Sequence, residues 1–284
     1  MTMGAMRRTI HAVAMGMTLA IGVGELAGQE KAALQHPVDV AVAADGAVYI
    51  ADRHLPGIWK VSGGKLEVFF QASKKFRTPL NAIRCLGFDK EGRLLAGDSS
   101  TWEVYRFDKS GKPQPLAAEW IGKPMGIAVN QAGDIFVADL EVQRIWRLVS
   151  GGKPKEVGQV VSPIALAIDG EGKLVVLSRG KHQVRRMVKE GEFEVLVKGQ
   201  PFQFPNDICY DDAHRLVVSD GYGKCLWRVT PGKPPEKWVT ASEFKNPVGL
   251  FCRGGKVYVA DSRAQQVWVV DGQGKVTPLI GAAG

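Results

Sequence analysis

Short apolar runs alternate with polar turns along the chain from residue 36 onward. Runs such as residues 47–51, 134–138 and 256–260 are rich in β-branched and aromatic residues, and glycine, aspartate, asparagine or Lys-Gly turns bound them. This pattern is typical of β-strands joined by hairpins. No stretch of about 11 residues or more in this region has the apolar period of an amphipathic helix. The pattern therefore predicts an all-β protein.

The runs recur in six copies of a unit of about 40 residues, a period typical of repeat proteins. Five copies have an aspartate after the second apolar run, and the fourth copy has Ser178. Seven residues further on, the same five copies have an aromatic residue that follows an apolar one. The aspartates are Asp52, Asp98, Asp139, Asp220 and Asp261, and the aromatic residues are Trp59, Tyr105, Trp146, Trp227 and Trp268. Because each copy holds four apolar runs, we predict a six-bladed β-propeller with four antiparallel strands per blade, covering residues 36–284.

The recurring residues are expected to be structural. The aspartates should accept hydrogen bonds from backbone N–H groups at turns, and the aromatic column should pack between neighbouring blades. The first blade is predicted to contain strands at residues 38–43, 47–52, 57–61 and 65–70, and the last strand of the propeller is predicted at residues 275–280.

Residues 1–28 have the pattern of a secretory signal peptide. Arg7 and Arg8 precede a mostly apolar run at residues 10–23, and small residues follow. The run is shorter than the roughly 20 residues that span a bilayer. We predict an exported protein, periplasmic or extracellular, with residues 29–35 as a flexible tether. Membrane contact is expected only if the leader stays uncleaved, and the propeller is expected to be a monomer.

The chain is basic, with 37 Lys and Arg against 29 Asp and Glu, and 45% of its residues are hydrophobic. This composition excludes wholesale disorder and favours an anionic partner. We predict no nucleic-acid partner, because an exported protein rarely meets RNA and the aromatic residues fall in the packing column rather than among basic residues. The four cysteines have no CxxC spacing, so a zinc site built from cysteines is not expected. Cys209 and Cys252 lie in adjacent copies and could form a disulfide, but two buried free thiols are favoured.

The third copy is a near-complete repeat of a known kind. Its segments PMGIAVN (124–130), GDIFVAD (133–139) and RI (144–145) resemble the NHL-repeat unit. Over residues 36–280 the chain is also similar to the related gluconolactonase and regucalcin family of propellers. The resemblance implies six blades, with a site on the face where the innermost strands begin. It leaves function open, because these propellers include metal-dependent enzymes and binding modules.

The resemblance further implies that the residue after each proline position rings the central channel. These residues are Val38, Arg84, Met125, Ile164, Asn206 and Val248. In gluconolactonase-like enzymes the ring supplies much of a divalent-metal site, and Asn206 is the only matching ligand here. A hard cation such as calcium needs several converging oxygens, so no metal or other cofactor is assigned, and a divalent cation such as calcium is left open. Asp39 and Asp207 could add ligands only if they face the channel, and the alternative is that they bond to nearby backbone.

Basic residues gather at the predicted upper face in the copies that depart from the repeat. A basic rim around an apolar funnel suits an anionic ligand, because arginine binds carboxylates bidentately. The alternative is a solvated surface without a ligand. The predicted ligand-binding residues are Arg84, Asn206, Asp207, Asp39, Arg53, His54, Arg179 and His182.

These features predict an exported binding module for a small anionic ligand or a protein partner. The alternative is a metal-dependent lactonase or hydrolase of the gluconolactonase type. The lack of acidic ligands around Asn206 favours the binding module. No catalytic residue is assigned, and whether the protein is an enzyme stays open.

Overall fold

The computed structural model of the chain describes residues 33–73, 75, 77–117, 120–149 and 152–280. Within these ranges, 24 strands form six sheets, and each sheet consists of four consecutive antiparallel strands. The innermost strand of each blade lies beside that of the next, and blade six lies beside blade one. The predicted all-β six-bladed propeller is therefore confirmed. No helix in the described part of the chain is long and apolar enough to cross a membrane.

The strands follow one another in chain order from the channel outward. Blades one to three consist of β1 (Pro37–Val42), β2 (Val48–Asp52), β3 (Gly57–Ser62), β4 (Lys65–Gln71); β5 (Ile83–Phe88), β6 (Leu94–Asp98), β7 (Glu103–Phe107), β8 (Pro113–Pro115); and β9 (Pro124–Val129), β10 (Ile135–Asp139), β11 (Arg144–Arg147), β12 (Lys155–Gln159). Blades four to six consist of β13 (Pro163–Ile168), β14 (Leu174–Ser178), β15 (Val184–Lys189), β16 (Glu192–Val197); β17 (Pro205–Tyr210), β18 (Leu216–Asp220), β19 (Cys225–Val229), β20 (Glu236–Thr240); and β21 (Pro247–Arg253), β22 (Lys256–Asp261), β23 (Gln266–Val270), β24 (Val276–Pro278). The strand bounds predicted for blade one and for the last strand differ from these by one or two residues.

The hydrophobic core lies between the blades. Six clusters of buried apolar side chains occur among the described residues, and each cluster joins two neighbouring blades. The aromatic column belongs to these clusters, with Trp59 between blades six and one and Trp227 between blades four and five. The column therefore packs between blades, as predicted. Removing this apolar surface from water is the main source of stability for such a fold.

Blade six closes against blade one through side chains rather than through a shared strand. Leu34 is only 7% exposed and packs into the cluster between the two blades. The Gln265 side-chain amide donates a hydrogen bond to the Gln35 carbonyl, at 3.0 Å. Leu34 and Gln35 lie within the predicted tether, yet they belong to the propeller, because a leucine that gains this much burial joins the core. Residues 29–32, and the signal peptide predicted at 1–28, lie outside the described residues.

The recurring aspartates hold the loops at one end of the propeller. Asp139 accepts hydrogen bonds from the backbone N–H groups of Gly122 and Lys123, at 2.7 and 2.9 Å, and from the indole N–H of Trp146, at 3.2 Å. The indole bond accounts for the seven-residue spacing in this blade, and Asp220 and Trp227 repeat it at 3.1 Å. Equivalent backbone bonds are formed by the other four aspartates, Asp52, Asp98, Asp220 and Asp261. The expected structural role of the aspartates is thus observed.

Blade four holds its loop in a different way. The Ser178 hydroxyl donates to the His182 carbonyl at 3.2 Å, and the Gln183 side chain exchanges two hydrogen bonds with the backbone of Phe202. The loop between β14 and β15 therefore needs no aspartate. Arg179 follows Ser178 directly, and its side chain reaches toward blade five.

Cys209 and Cys252 form a disulfide, with their Cα atoms 5.9 Å apart. The bond joins β17 to β21, the innermost strands of blades five and six. Cys85 and Cys225 are buried free thiols. The disulfide, rather than the two buried thiols that the sequence favours, is therefore observed.

Candidate functional site

The innermost strands enclose a central cavity of about 970 Å³. We call upper the end where these strands begin and where the loops after the second strands lie, and lower the opposite end. Arg53, Arg84 and Arg179 line the cavity at its upper end, and Lys90 and Arg253 line it at its lower end. A volume of this size is ample for a small molecule.

Five of the six residues predicted to ring the channel line this cavity, namely Val38, Arg84, Met125, Asn206 and Val248. Ile164 does not, and the prediction for that position is wrong. Its side chain is 1% exposed and packs in the cluster between blades four and five. An isoleucine gains more from this burial than from facing a polar cavity. Blade four instead contributes Arg179, which lines the cavity from the loop after β14.

Arg84 reaches the cavity from β5 and is half-buried. Its Nε donates to the Ser99 hydroxyl at 2.9 Å, and that hydroxyl donates in turn to the Ala82 carbonyl. Burial lowers the pKa of the Arg84 guanidinium, and the charge of Arg53 lowers it further, while Asp98 opposes the shift. The guanidinium stays charged, because its ordinary pKa lies far above neutral pH. A neutral hydroxyl thus orients this cation, and no carboxylate bonds to it within the described residues.

Arg179 is held even more firmly from the loop after β14. Its Nε donates to the Pro205 carbonyl at 3.1 Å, and its Nη2 donates to Asn206 Oδ1 at 2.8 Å. The guanidinium also lies 3.8 Å from the centre of the Phe204 ring, which is a cation–π contact. Burial is the main cause of its lowered pKa. All of these partners are neutral, so the positive charge is oriented without being neutralised.

The guanidiniums that line the upper end of the cavity therefore have no bonded counter-charge among the described residues. Among the described residues, neither Arg84 nor Arg179 forms a salt bridge, and the exposed Arg53 forms none either. Taking a charge out of water without a counter-charge is costly. An anion in the cavity would supply the missing counter-charge.

Asp39 and Asp207 line the same cavity, yet their oxygens already bond to backbone. Asp39 accepts from Val40 N at 2.8 Å and from Leu86 N at 2.6 Å, and so ties blade one to blade two. Asp207 accepts from Ile208 N at 2.8 Å and from Leu250 N at 2.6 Å, and so ties blade five to blade six. Both carboxyls therefore bond to backbone N–H groups, which is the alternative that the sequence analysis gave to a position facing the channel.

Burial favours the neutral form of both carboxyls. It raises the pKa of Asp207 to about 7, against the effect of the two backbone bonds. It also raises the pKa of Asp39 well above the usual range, and the nearby charge of Asp207 adds to that shift. Below neutral pH these residues therefore add little negative charge to the cavity, and at neutral pH Asp207 is about half ionised.

These residues do not fit the divalent-metal site that the resemblance implies. The amide oxygen of Asn206 accepts from Arg179, so a cation bound there would lie beside a guanidinium. The oxygens of Asp39 and Asp207 are turned to backbone N–H groups. No three His, Cys, Asp or Glu side chains in the described ranges are grouped to hold a metal ion. A calcium site needs several converging oxygens, and this arrangement offers none.

The two histidines predicted as ligand residues do not line the cavity. His182 Nδ1 accepts a hydrogen bond from Gly199 N at 3.1 Å and so holds a loop of blade four. His54 is exposed and its ring lies 5.1 Å from that of His36. His36 itself lines the cavity, and sequence reasoning missed it.

Aromatic residues also occur beside the basic ones, contrary to the expectation from sequence. Phe204 lines the cavity, with Arg179 near its ring and Tyr222 stacked on it at 4.5 Å. Tyr222 is 63% exposed. Phe204 is the only phenylalanine directly before a ring proline, and that feature of the sequence could have identified it. Asn246 and Ser262 are further lining residues without a sequence indication.

Comparison with known proteins confirms the architecture. No protein-family model matches the chain, and no curated protein matches it. Among solved structures, virginiamycin B lyase from Staphylococcus aureus is 16% identical with a TM-score of 0.66, covering 86% of this chain and 84% of that one. A gluconolactonase from Xanthomonas campestris is 14% identical with a TM-score of 0.70, covering 84% and 86%. A chain of the nidogen/laminin complex is 18% identical with a TM-score of 0.66, covering 85% and 91%.

These likenesses show the fold alone, and they include both enzymes and a protein complex. The resemblance to six-bladed propellers of the gluconolactonase kind is thus confirmed as a likeness of fold. The assignment to the NHL repeat stays a prediction. Function has to be argued from the site of this chain.

Proposed function

We propose that this protein is an exported propeller that binds a small anionic ligand at the upper end of its channel. The observation that carries the proposal is the pair of half-buried, oriented guanidiniums of Arg84 and Arg179, which have no carboxylate partner among the described residues. Arginine in this state is a strong site for carboxylates and similar anions.

The cavity favours a small molecule over a protein partner. The two guanidiniums line a concave space rather than an outer surface, and such spaces are typical of small-ligand sites. Export is supported by the disulfide between Cys209 and Cys252, since such bonds persist in oxidising compartments.

Direct binding measurements test the proposal. Purified protein is titrated calorimetrically with acetate, succinate, adipate, citrate and inorganic phosphate, after a thermal-shift survey of the same anions. We expect saturable binding of at least one carboxylate. Arg84→Ala and Arg179→Ala should each weaken it about 10- to 100-fold, which is the range for a lost charge-assisted hydrogen bond.

Arg215→Ala is the matched control. Arg215 lies at the lower end and pairs with Asp211 at 2.8 Å, so its loss removes the same charge without touching the site. Binding in this variant should equal that of the wild type. If no anion binds, or if all three variants lose affinity equally, the proposed site is wrong.

A metal-dependent lactonase remains the second candidate because solved propellers of this fold include a gluconolactonase. The donor set around Asn206 argues against it, since Arg179 occupies the amide oxygen. Elemental analysis of purified protein, together with a gluconolactone hydrolysis assay, separates the two functions. Stoichiometric calcium or zinc with lactone turnover would favour the hydrolase. A metal-free protein that binds carboxylates without turnover would favour the binding module.

A further inference from the structure

We propose that the ligand is a dicarboxylate whose two carboxylates bind two separate cationic centres at the upper end of the channel. Arg84 with Arg53 forms one centre, and Arg179 forms the other. This inference rests on the proposed function and narrows its ligand class.

The two centres lie on different sides of the channel. Arg84 belongs to blade two and Arg179 to the loop of blade four, so blade three separates them. Arg53 lies close enough to Arg84 for its charge to lower the pKa of that guanidinium. Neither arginine contributes to the lowered pKa of Arg179, whose causes are burial and a smaller opposing effect of Tyr222. Because the blades place them on different sides of the channel, the two centres can hold two anionic groups at a distance.

Each centre keeps donors available for a carboxylate. Arg84 uses only Nε, for the Ser99 hydroxyl, and both of its terminal nitrogens have no hydrogen-bond partner among the described residues. These two nitrogens form a fork that matches the two oxygens of one carboxylate. Arg179 uses Nε and Nη2 for Pro205 and Asn206, and its Nη1 has no such partner in the described ranges. Because both side chains are already fixed, binding would cost little further conformational entropy.

The ring residue between the two centres is apolar. Met125 is the ring residue of blade three and lines the cavity between the blades that carry Arg84 and Arg179. Val38 and Val248 line the ring on the side of blades one and six. A chain of methylene groups fits such a span better than a hydroxylated one, since apolar contacts replace water without unmet hydrogen bonds. A linear aliphatic dicarboxylate combines both requirements.

The wild-type protein alone allows a decisive test. Succinate, adipate and suberate are each titrated against their own monomethyl esters, which have nearly the same length and one charge fewer. We expect the best-fitting diacid to bind at least tenfold more tightly than its half-ester. Equal binding of diacid and half-ester would overturn this inference and leave the proposed function intact, because one centre would suffice. Binding of neither would overturn both.

Variants then assign the two carboxylates. In Arg179→Gln the ratio of diacid to half-ester affinity should fall to about one, because only one centre remains, and in Arg84→Gln it should fall most of the way, because only the exposed Arg53 is left in that centre. Arg215→Gln at the lower end should keep the wild-type ratio. An unchanged ratio in either upper variant would overturn the inference. Should a variant fail to fold, the ligand pairs on the wild type still decide the question.

Discussion

The arginines at the two ends of the channel have different partners. At the lower end, three arginines pair with carboxylates, Arg93 with Asp89 at 2.7 Å, Arg186 with Glu194 at 2.6 Å and Arg215 with Asp211 at 2.8 Å, whereas Arg253, which lines the cavity there, forms no salt bridge within the described residues. At the upper end, Arg84 and Arg179 bond to a hydroxyl, a carbonyl and an amide oxygen, all of them neutral. The two ends are built by the same repeat, so the fold alone does not require this difference.

The difference separates charge that serves the fold from charge available to a ligand. Asp89 and Asp211 also accept backbone N–H bonds within their hairpin turns, so the ion pairs at the lower end reinforce turns that the propeller needs. No comparable bond explains the charge of Arg84 and Arg179. Neutral partners orient a guanidinium and leave its charge available, which is what a preorganised anion site requires.

The largest effect is expected from removing a carboxylate at the lower end. Asp211 lies 2.8 Å from Arg215 and 3.8 Å from Arg228, whose side chain is only 10% exposed. Asp211→Ala should lower the free energy of unfolding by about 3 kcal/mol, because a nearly buried arginine loses its counter-charge. Chemical denaturation measures the loss, with Ser99→Ala at the upper end as a comparison expected to lose about 1 kcal/mol or less. Anion affinity should not change in Asp211→Ala, and a clear change would show that the two ends are not independent.

A second change gives Arg84, at the upper end, a carboxylate partner like those of the paired arginines at the lower end. Ser99→Asp places a carboxylate against Nε of Arg84, where the hydroxyl now lies at 2.9 Å. Anion affinity should fall about 30-fold, or ~2 kcal/mol, because the ligand must compete with a built-in carboxylate. Ser99→Asn is the matched control of nearly equal size without charge, and calorimetry should show at most a few-fold loss. Equal losses in the two variants would indicate that shape, rather than charge, governs the site.

The sequence predicted the scaffold better than the site. Six blades, the packing role of the aromatic column and the loop-holding aspartates follow from a repeat, because repeated residues have repeated environments. The candidate site is formed by residues that depart from the repeat, and the positions of their side chains depend on local contacts. Ile164 leaves the ring because an apolar side chain finds a better place in the core, and His182 turns to a loop amide. Neither outcome has a pattern in the sequence.

The pH dependence of stability and of anion affinity gives a further test of the comparison between the two ends. The raised pKa of Asp207, about 7, means that the folded state binds more protons than the unfolded chain between the ordinary carboxyl range and pH 7. Stability should therefore fall as pH rises through that window, and the raised pKa of Asp39 adds to the same trend. Anion affinity should fall as well, by roughly fivefold between pH 6 and pH 8, because a carboxylate appears in the cavity.

Denaturation curves and calorimetry across this pH range test the effect of Asp207. Asp207→Asn should reduce both trends, since the titrating group is gone. Comparing the variant with the wild type cancels the contribution of His36, whose pKa is lowered by burial. Asp271→Asn, in an exposed turn at the lower end, serves as the control and should keep the wild-type slopes. Identical slopes in all three proteins would remove Asp207 as the source.

The smallest effect is expected from Arg53, which lines the same upper end but is exposed. Arg53→Ala should weaken anion binding only about threefold, because water and salt screen an exposed charge. The loss should disappear at about 0.5 M salt, where the Debye length is short. The larger loss in Arg84→Ala should persist there, since that guanidinium is half-buried and bonded in place.

Calorimetry of both variants at low and high salt therefore distinguishes long-range attraction at the rim from direct contact inside the channel. A salt-resistant loss in Arg53→Ala would place the ligand nearer the surface than the cavity implies.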